Sequence, residues 1–183
     1  MSYRWWIIVA SLLFTAGVVC GLVSPAGLTG LISEDIAALK QLSDILASLP
    51  HALVALLIFV KNASALAISF VLSPILCLAP ILSLTLNGWL ISFVSTTVIQ
   101  EKSLSFVLAG LLPHGIFEIP ALIMAQAAAL SFGTMAVMAL FKKERRKLLS
   151  PNFKQNLRYL LIALALLVPA AIIETYVTPS LLT

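Results

Sequence analysis

The sequence predicts an all-α, polytopic membrane helix bundle, on three observations. Of its 183 residues, 61% are hydrophobic, and the mean hydropathy is +1.12. Only 10% are charged, where soluble domains hold about 25%. Apolar runs near the ~20 residues that a helix needs to cross a bilayer recur from end to end. The two most polar stretches, 24–49 and 141–158, are too short to bury a core of their own. The chain therefore reads as a single membrane domain, 1–183.

The formal charge of +4 would suggest nucleic acid in a soluble protein. Here seven of the eleven basic residues fall in 142–158: Lys142, Lys143, Arg145, Arg146, Lys147, Lys154 and Arg158. That is the positive-inside signature of a cytoplasmic loop. The expected partners are a lipid bilayer and another protein or a second copy of the chain, with no nucleic acid. Cys20 and Cys77 stand alone in apolar runs, with no zinc-type spacing and no disulfide framework.

Residues 5–23 form the first predicted span. Arg4 precedes them, but the apolar stretch is long for a signal peptide, so a retained helix is expected. Gly17 and Gly21 make a Gly-x-x-x-Gly pair that lets another helix approach closely. Residues 31–49 carry Ile32, Ile36, Leu39, Leu42, Leu46 and Leu49 at helical spacing, with Lys40, Gln41 and Asp44 opposite. This pattern predicts an interfacial amphipathic helix. Residues 52–99 hold two spans. Pro74 and Pro80 mark their connection, and 63–99 carries no charge. The nine apolar residues of 104–112 are too few to cross as a helix. Residues 117–141 form the fourth span. Ala121, Ala125, Ala129 and Gly133 recur every four residues along it as a ridge for close helix packing. The basic loop 142–158 follows, and the fifth span is 159–176, with Pro169 kinking or ending it.

Parity orders these pieces. With the N-terminus and the basic loop both cytoplasmic, an even number of crossings joins them up to Phe141. Three lie before residue 100 and one lies at 117–141, so residues 104–112 are expected to dip in and return as a re-entrant half-helix. The layout is five spans, with the C-terminus outside.

The chemistry concentrates in Pro113-His114-Gly115-Ile116-Phe117-Glu118-Ile119-Pro120. His114 and Glu118 are four apart and share a helix face. Pro113 suits a first helical turn, and Pro120 a kink or a restart. Gly115 admits backbone shapes that other residues resist. A buried carboxylate is costly, so Glu118 should be protonated, paired with His114, or bonded to a polar group such as Asn87 or Asn62. Four readings remain open: a structural tie between helices, a proton or ion relay at a broken helix, a groove for a partner, and a metal or enzyme site. For zinc, His114 and Glu118 supply two ligands and a third is wanting. No nucleophile motif is present. Neither an enzyme nor a cofactor is expected.

This stretch, continued by Ala121, resembles the Pro-His-Gly-x-x-Glu-x-Pro-Ala signature of the stage II sporulation protein M family of integral membrane proteins. Asn62 ahead of an apolar span, Leu86-Asn87-Gly88 in the next, and Ala127-Ala128-Ala129-Leu130-Ser131-Phe132-Gly133 agree with it. The resemblance covers roughly 59–133. It departs at Lys61-Asn62, where the family commonly has paired asparagines, and in a small-residue run poorer in glycine. The sporulation member of that family works in a membrane complex with peptidoglycan-degrading partners during engulfment. Many relatives occur in organisms that form no spores. The resemblance thus implies a membrane scaffold or assembly subunit in membrane or envelope remodelling. The alternative is a small ion- or proton-coupled transporter using Glu118 and His114.

Overall fold

The computed structural model describes residues 2–24 and 49–182. Among these, every regular element is helical: α1 (Tyr3–Val23), α2 (His51–Leu72), α3 (Leu78–Glu101), α4 (Leu104–Phe141), a 3-10 turn (Lys143–Arg145), α5 (Arg146–Tyr176) and α6 (Thr178–Leu181). Five of them are long and apolar enough to cross a membrane. The interfacial helix expected over 31–49 falls, as far as Ser48, outside the described residues.

Side-chain pairs give the helix directions. Asn62 bonds Glu118 and Ser69 bonds Gln126, so α2 and α4 run parallel. Asn156 reaches Ser131 while Glu174 lies beside His114 and Glu118, so α5 runs antiparallel to α4. Gly17 faces Thr85 and Gly21 faces Trp89, so α1 and α3 run together. The five long helices therefore alternate in direction along the chain. The outward faces carry large apolar side chains such as Leu12, Leu56, Ile68, Leu86, Ile116 and Leu161, a surface suited to lipid.

α4 is the central helix. Ala127, Ala128, Ala129, Leu130 and Ser131 are all buried, and five consecutive residues cover every side of a helix. α4 touches α1, α2, α3 and α5, with α5 its most extensive neighbour. Its alanines leave room for that crowding. Ala121, Ala125 and Ala129 of the predicted ridge are inaccessible to solvent. At the ridge's end, a Cβ on Gly133 would collide with the Ser73 carbonyl and would lie 2.8 Å from Cys77 Sγ.

The turn against Gly133 joins α2 to α3 in five residues, 73–77. Leu76 and Cys77 adopt left-handed backbone, with φ of 50° and 57°. Side-chain-bearing residues enter that region at a cost of ~1–2 kcal/mol each. Pro80 occupies the first turn of α3, where its missing N–H removes no helical bond.

α1 packs on α3 through glycine on both sides. A Cβ on Gly17 would collide with the Thr85 carbonyl, one on Gly21 would lie 2.5 Å from the Trp89 carbonyl, and one on Gly88 would collide with the Phe14 carbonyl. Trp89 Nε1 donates to Ser24 Oγ at 2.8 Å and closes this interface at the end of α1.

Three expectations are corrected. First, residues 104–112 are not a re-entrant half-helix. They begin a continuous helix of 38 residues, roughly 57 Å long at 1.5 Å per residue. Ser103 caps it, accepting from the Phe106 N–H. Pro113 is therefore not at a first turn, and Pro120 neither breaks nor restarts the helix. Each proline deprives one carbonyl, Ala109 or Ile116, of its helical donor. A reversal at that depth would strand many more backbone groups, so continuing is the cheaper solution. Five alternating helices account for the chain without the dip, and the parity is unchanged.

Second, the basic stretch 142–158 is mostly not loop. The connection is the 3-10 turn, and from Arg146 the chain is already α5. Arg146 Nε turns back to the Ala139 carbonyl at 3.1 Å, which ties the turn to the end of α4. Third, Pro169 does not end the last span, because α5 continues to Tyr176.

Gly17→Ala should force α1 away from α3, and Ala125→Leu should overpack the centre of the bundle. Each is expected to cost about 1–3 kcal/mol, read as a lower melting temperature in detergent. Wild-type melting of both variants would contradict these contacts.

Candidate functional site

α4 presents His114 and Glu118 on the face turned to α2 and the end of α5. Their nearest atoms, Nε2 and Oε2, are 3.9 Å apart, close enough to attract but too far for a hydrogen bond. The His114 side chain is 12% exposed and that of Glu118 35%. Asn62 of α2 donates from Nδ2 to Glu118 Oε1 at 3.1 Å. Thr178, at the start of α6, sets its hydroxyl 3.5 Å from His114 Nδ1 and donates to the Ile173 carbonyl at 3.3 Å.

The third ionisable member comes from α5. Glu174 places a carboxylate oxygen so that one ligand atom from each of His114, Glu118 and Glu174 lies within 4.8 Å of the others. Glu174 also feels the positive charge of Lys61. The sequence reading missed Glu174 as a site residue, since it stands 56 positions beyond Glu118. A signal was present: it is an acid between the apolar end of one span and the chain terminus.

Two cavities meet at this cluster. One, about 470 Å³, lies between α3, α4 and the end of α5, and is mainly apolar, with His114 and Glu174 as its ionisable lining. The other, about 50 Å³, brings together Asn62, Ser83, Asn87 and Glu118. Asn87 itself donates to the Ser83 carbonyl one turn back at 2.7 Å, so Asn62 is the amide that holds Glu118. Gly115 is buried in regular helix with no positive φ. A Cβ there would meet Ile119 and Leu111 at ordinary van der Waals distances of 3.8 and 3.9 Å. The expectation that Gly115 serves an unusual backbone shape is thus corrected. His51 lies at the start of α2, stacked on Tyr176 with centroids 5.6 Å apart.

A second polar tie lies further along α4. Fully buried Gln126 accepts from Ser69 Oγ at 2.6 Å and donates to Ser83 Oγ at 2.8 Å, linking α2, α4 and α3. Sequence reading passed over it, although an amide amid alanines in an uncharged span was a visible sign. Asn156 makes a third tie, donating to Ser131 Oγ at 3.2 Å and to Asn152.

The Pro113–Pro120 stretch thus lies inside a central helix, in its N-terminal half, with its histidine and acid bonded to α2 and α6 and facing α5. The profile of the family described as stage II sporulation protein M matches residues 10–179. The chain belongs to the stage II sporulation protein M family. It is similar to an uncharacterised protein of Methanocaldococcus jannaschii, at 28% identity over 178 residues, covering 97% of this chain and 96% of that protein. No solved structure matches it. Family membership and five long apolar helices together make it a multi-pass membrane protein.

The Asn62–Glu118 bond is testable by a double-mutant cycle. Asn62→Leu and Glu118→Leu, measured singly and together in detergent unfolding, should show a coupling of about 0.6–1.7 kcal/mol, the range of interhelical bonds within membranes. Strict additivity would mean that the two groups do not interact.

Proposed function

We propose that this protein is an integral membrane scaffold, the assembly subunit of a membrane complex. One observation carries the reading: its intramembrane polar groups tie helices to one another. The cluster at Glu118 draws on α2, α4, α5 and α6. The Gln126 amide joins α2, α3 and α4. A bundle so braced holds its outer apolar faces in fixed relation, as a docking platform requires. The basic turn and the start of α5 present Lys142, Lys143, Arg145 and Lys147 exposed at one end, where anionic lipid on the cytoplasmic side would hold the platform in one orientation. The N-terminus shares that side and the C-terminus lies opposite.

A second reading is favoured by the position of the acids between two cavities. A proton- or ion-coupled transporter would place ionisable groups there. Glu118→Gln separates the two readings. As a scaffold subunit the variant should still assemble with its partners, because Gln keeps a hydrogen-bonding oxygen for Asn62. As a transporter it should lose pH-dependent flux in reconstituted vesicles. Stable partner capture in detergent together with absence of ion flux is the expected result; flux that disappears in Glu118→Gln would favour transport.

Orientation is checked by cysteine accessibility. Lys102→Cys, in the short connection between α3 and α4, should label with a membrane-impermeant thiol reagent from outside intact cells. Labelling confined to inverted vesicles would reverse the layout.

A further inference from the structure

We infer that His114, Glu118 and Glu174 form a binding site for one first-row divalent metal ion, best suited to zinc. The case starts from which atoms are free. The Thr178 hydroxyl donates its proton to the Ile173 carbonyl, so what it offers His114 Nδ1 is a lone pair. In the neutral ring, Nδ1 then carries the proton and Nε2 the lone pair. Nε2 is the nitrogen that faces Glu118 Oε2. On Glu118, Oε1 is occupied by the Asn62 amide, which leaves Oε2 free. Glu174 adds a carboxylate from the facing helix. With a neutral ring, three acceptor atoms thus converge, all within 4.8 Å of one another.

Two facing carboxylates repel one another unless a proton or a cation joins them. Lys61 acts on Glu174 from an exposed position on α2 and supplies one positive charge to the group's edge. A divalent ion at the centre would balance both acids. The nitrogen ligand argues against calcium and magnesium, which take oxygen, and for zinc and its neighbours. Zinc ligands sit ~2.0–2.2 Å from the ion, hence ~3.4 Å apart in a tetrahedron. The present spacing, 3.9 Å for one pair and within 4.8 Å for all, reaches that geometry by a contraction of ~1 Å. The supporting contacts are those expected around metal ligands: the second nitrogen of the histidine and the second oxygen of a carboxylate are each held by a hydrogen bond. Three protein ligands leave a fourth position, which water could reach from the cavity of about 470 Å³ that His114 and Glu174 also line. Such an ion would join α4 to α5 near the end of the chain, while Asn62 and Thr178 carry the linkage to α2 and α6.

The test is a titration of the full-length chain, purified in detergent without a polyhistidine tag and stripped with chelator, using Co²⁺ as a spectroscopic probe. One Co²⁺ per chain should bind with the visible bands of four-coordinate cobalt, and one equivalent of Zn²⁺ should displace it. Glu174→Gln and His114→Ala should each abolish stoichiometric binding. Thr178→Val, which keeps all three ligands, should weaken it by about 10–100-fold, and His51→Ala should leave it unchanged. Absence of stoichiometric Co²⁺ binding by the wild-type chain would overturn the site whatever the variants do. So would wild-type affinity in both Glu174→Gln and His114→Ala, or loss of binding in His51→Ala. Metal content is read separately from partner capture and ion flux, so its failure leaves either reading of function standing.

Discussion

Helices in lipid are not driven together by water, so their cohesion depends on how closely their backbones can approach. In this bundle that approach is made by residues with little or no side chain. Gly17, Gly21 and Gly88 bring α1 against α3 at backbone contact, and Gly133 admits the turn at Ser73 against α4. The alanines of α4 let the central helix be covered on every side. Replacing these contacts with larger side chains would separate helices by ångströms, and every longer-range feature would shift with them.

The polar ties rest on that packing. A 3.1 Å bond from Asn62 to Glu118 requires α2 and α4 to hold a fixed register. The same register brings Ser69 to Gln126 seven and eight residues further along, about two helical turns on each chain segment. Two parallel helices are thus pinned at two levels. The other partner of Gln126, Ser83, pins α3 to the same level. Each bond is modest in free energy, but each is directional, and together they leave little freedom for one helix to slide past another.

The cluster at Glu118 differs from the Gln126 tie in one respect. Gln126 has both a donor and an acceptor end, and both are satisfied. His114, Glu118 and Glu174 instead direct acceptors toward a shared centre. That arrangement is incomplete without positive charge, supplied by protons or by a metal ion. It also borders both cavities. The long α4 places this chemistry about a third of the way along the helix, where its two prolines each release one carbonyl from helical bonding.

Much of the fold was legible in the chain itself. Composition and apolar run length establish a membrane helix bundle, because the bilayer accepts only segments that bond their own backbone. Glycine and alanine spacing pointed to the faces of α1 and α4, since small residues are the ones that permit close approach. His114 and Glu118 were visible because ionisable groups are rare in such a setting. What sequence could not decide was whether Pro113 and Pro120 interrupt a helix. Proline removes one bond locally, and only the surrounding helices determine whether the chain continues through it. The same holds for Arg146 to Arg158, polar enough to read as a loop yet carried in helix because α5 packs on α4. Above all, Glu174 joined the site only in three dimensions: the antiparallel packing of α5 on α4 carries it across 56 residues of sequence, and no local pattern encodes that distance.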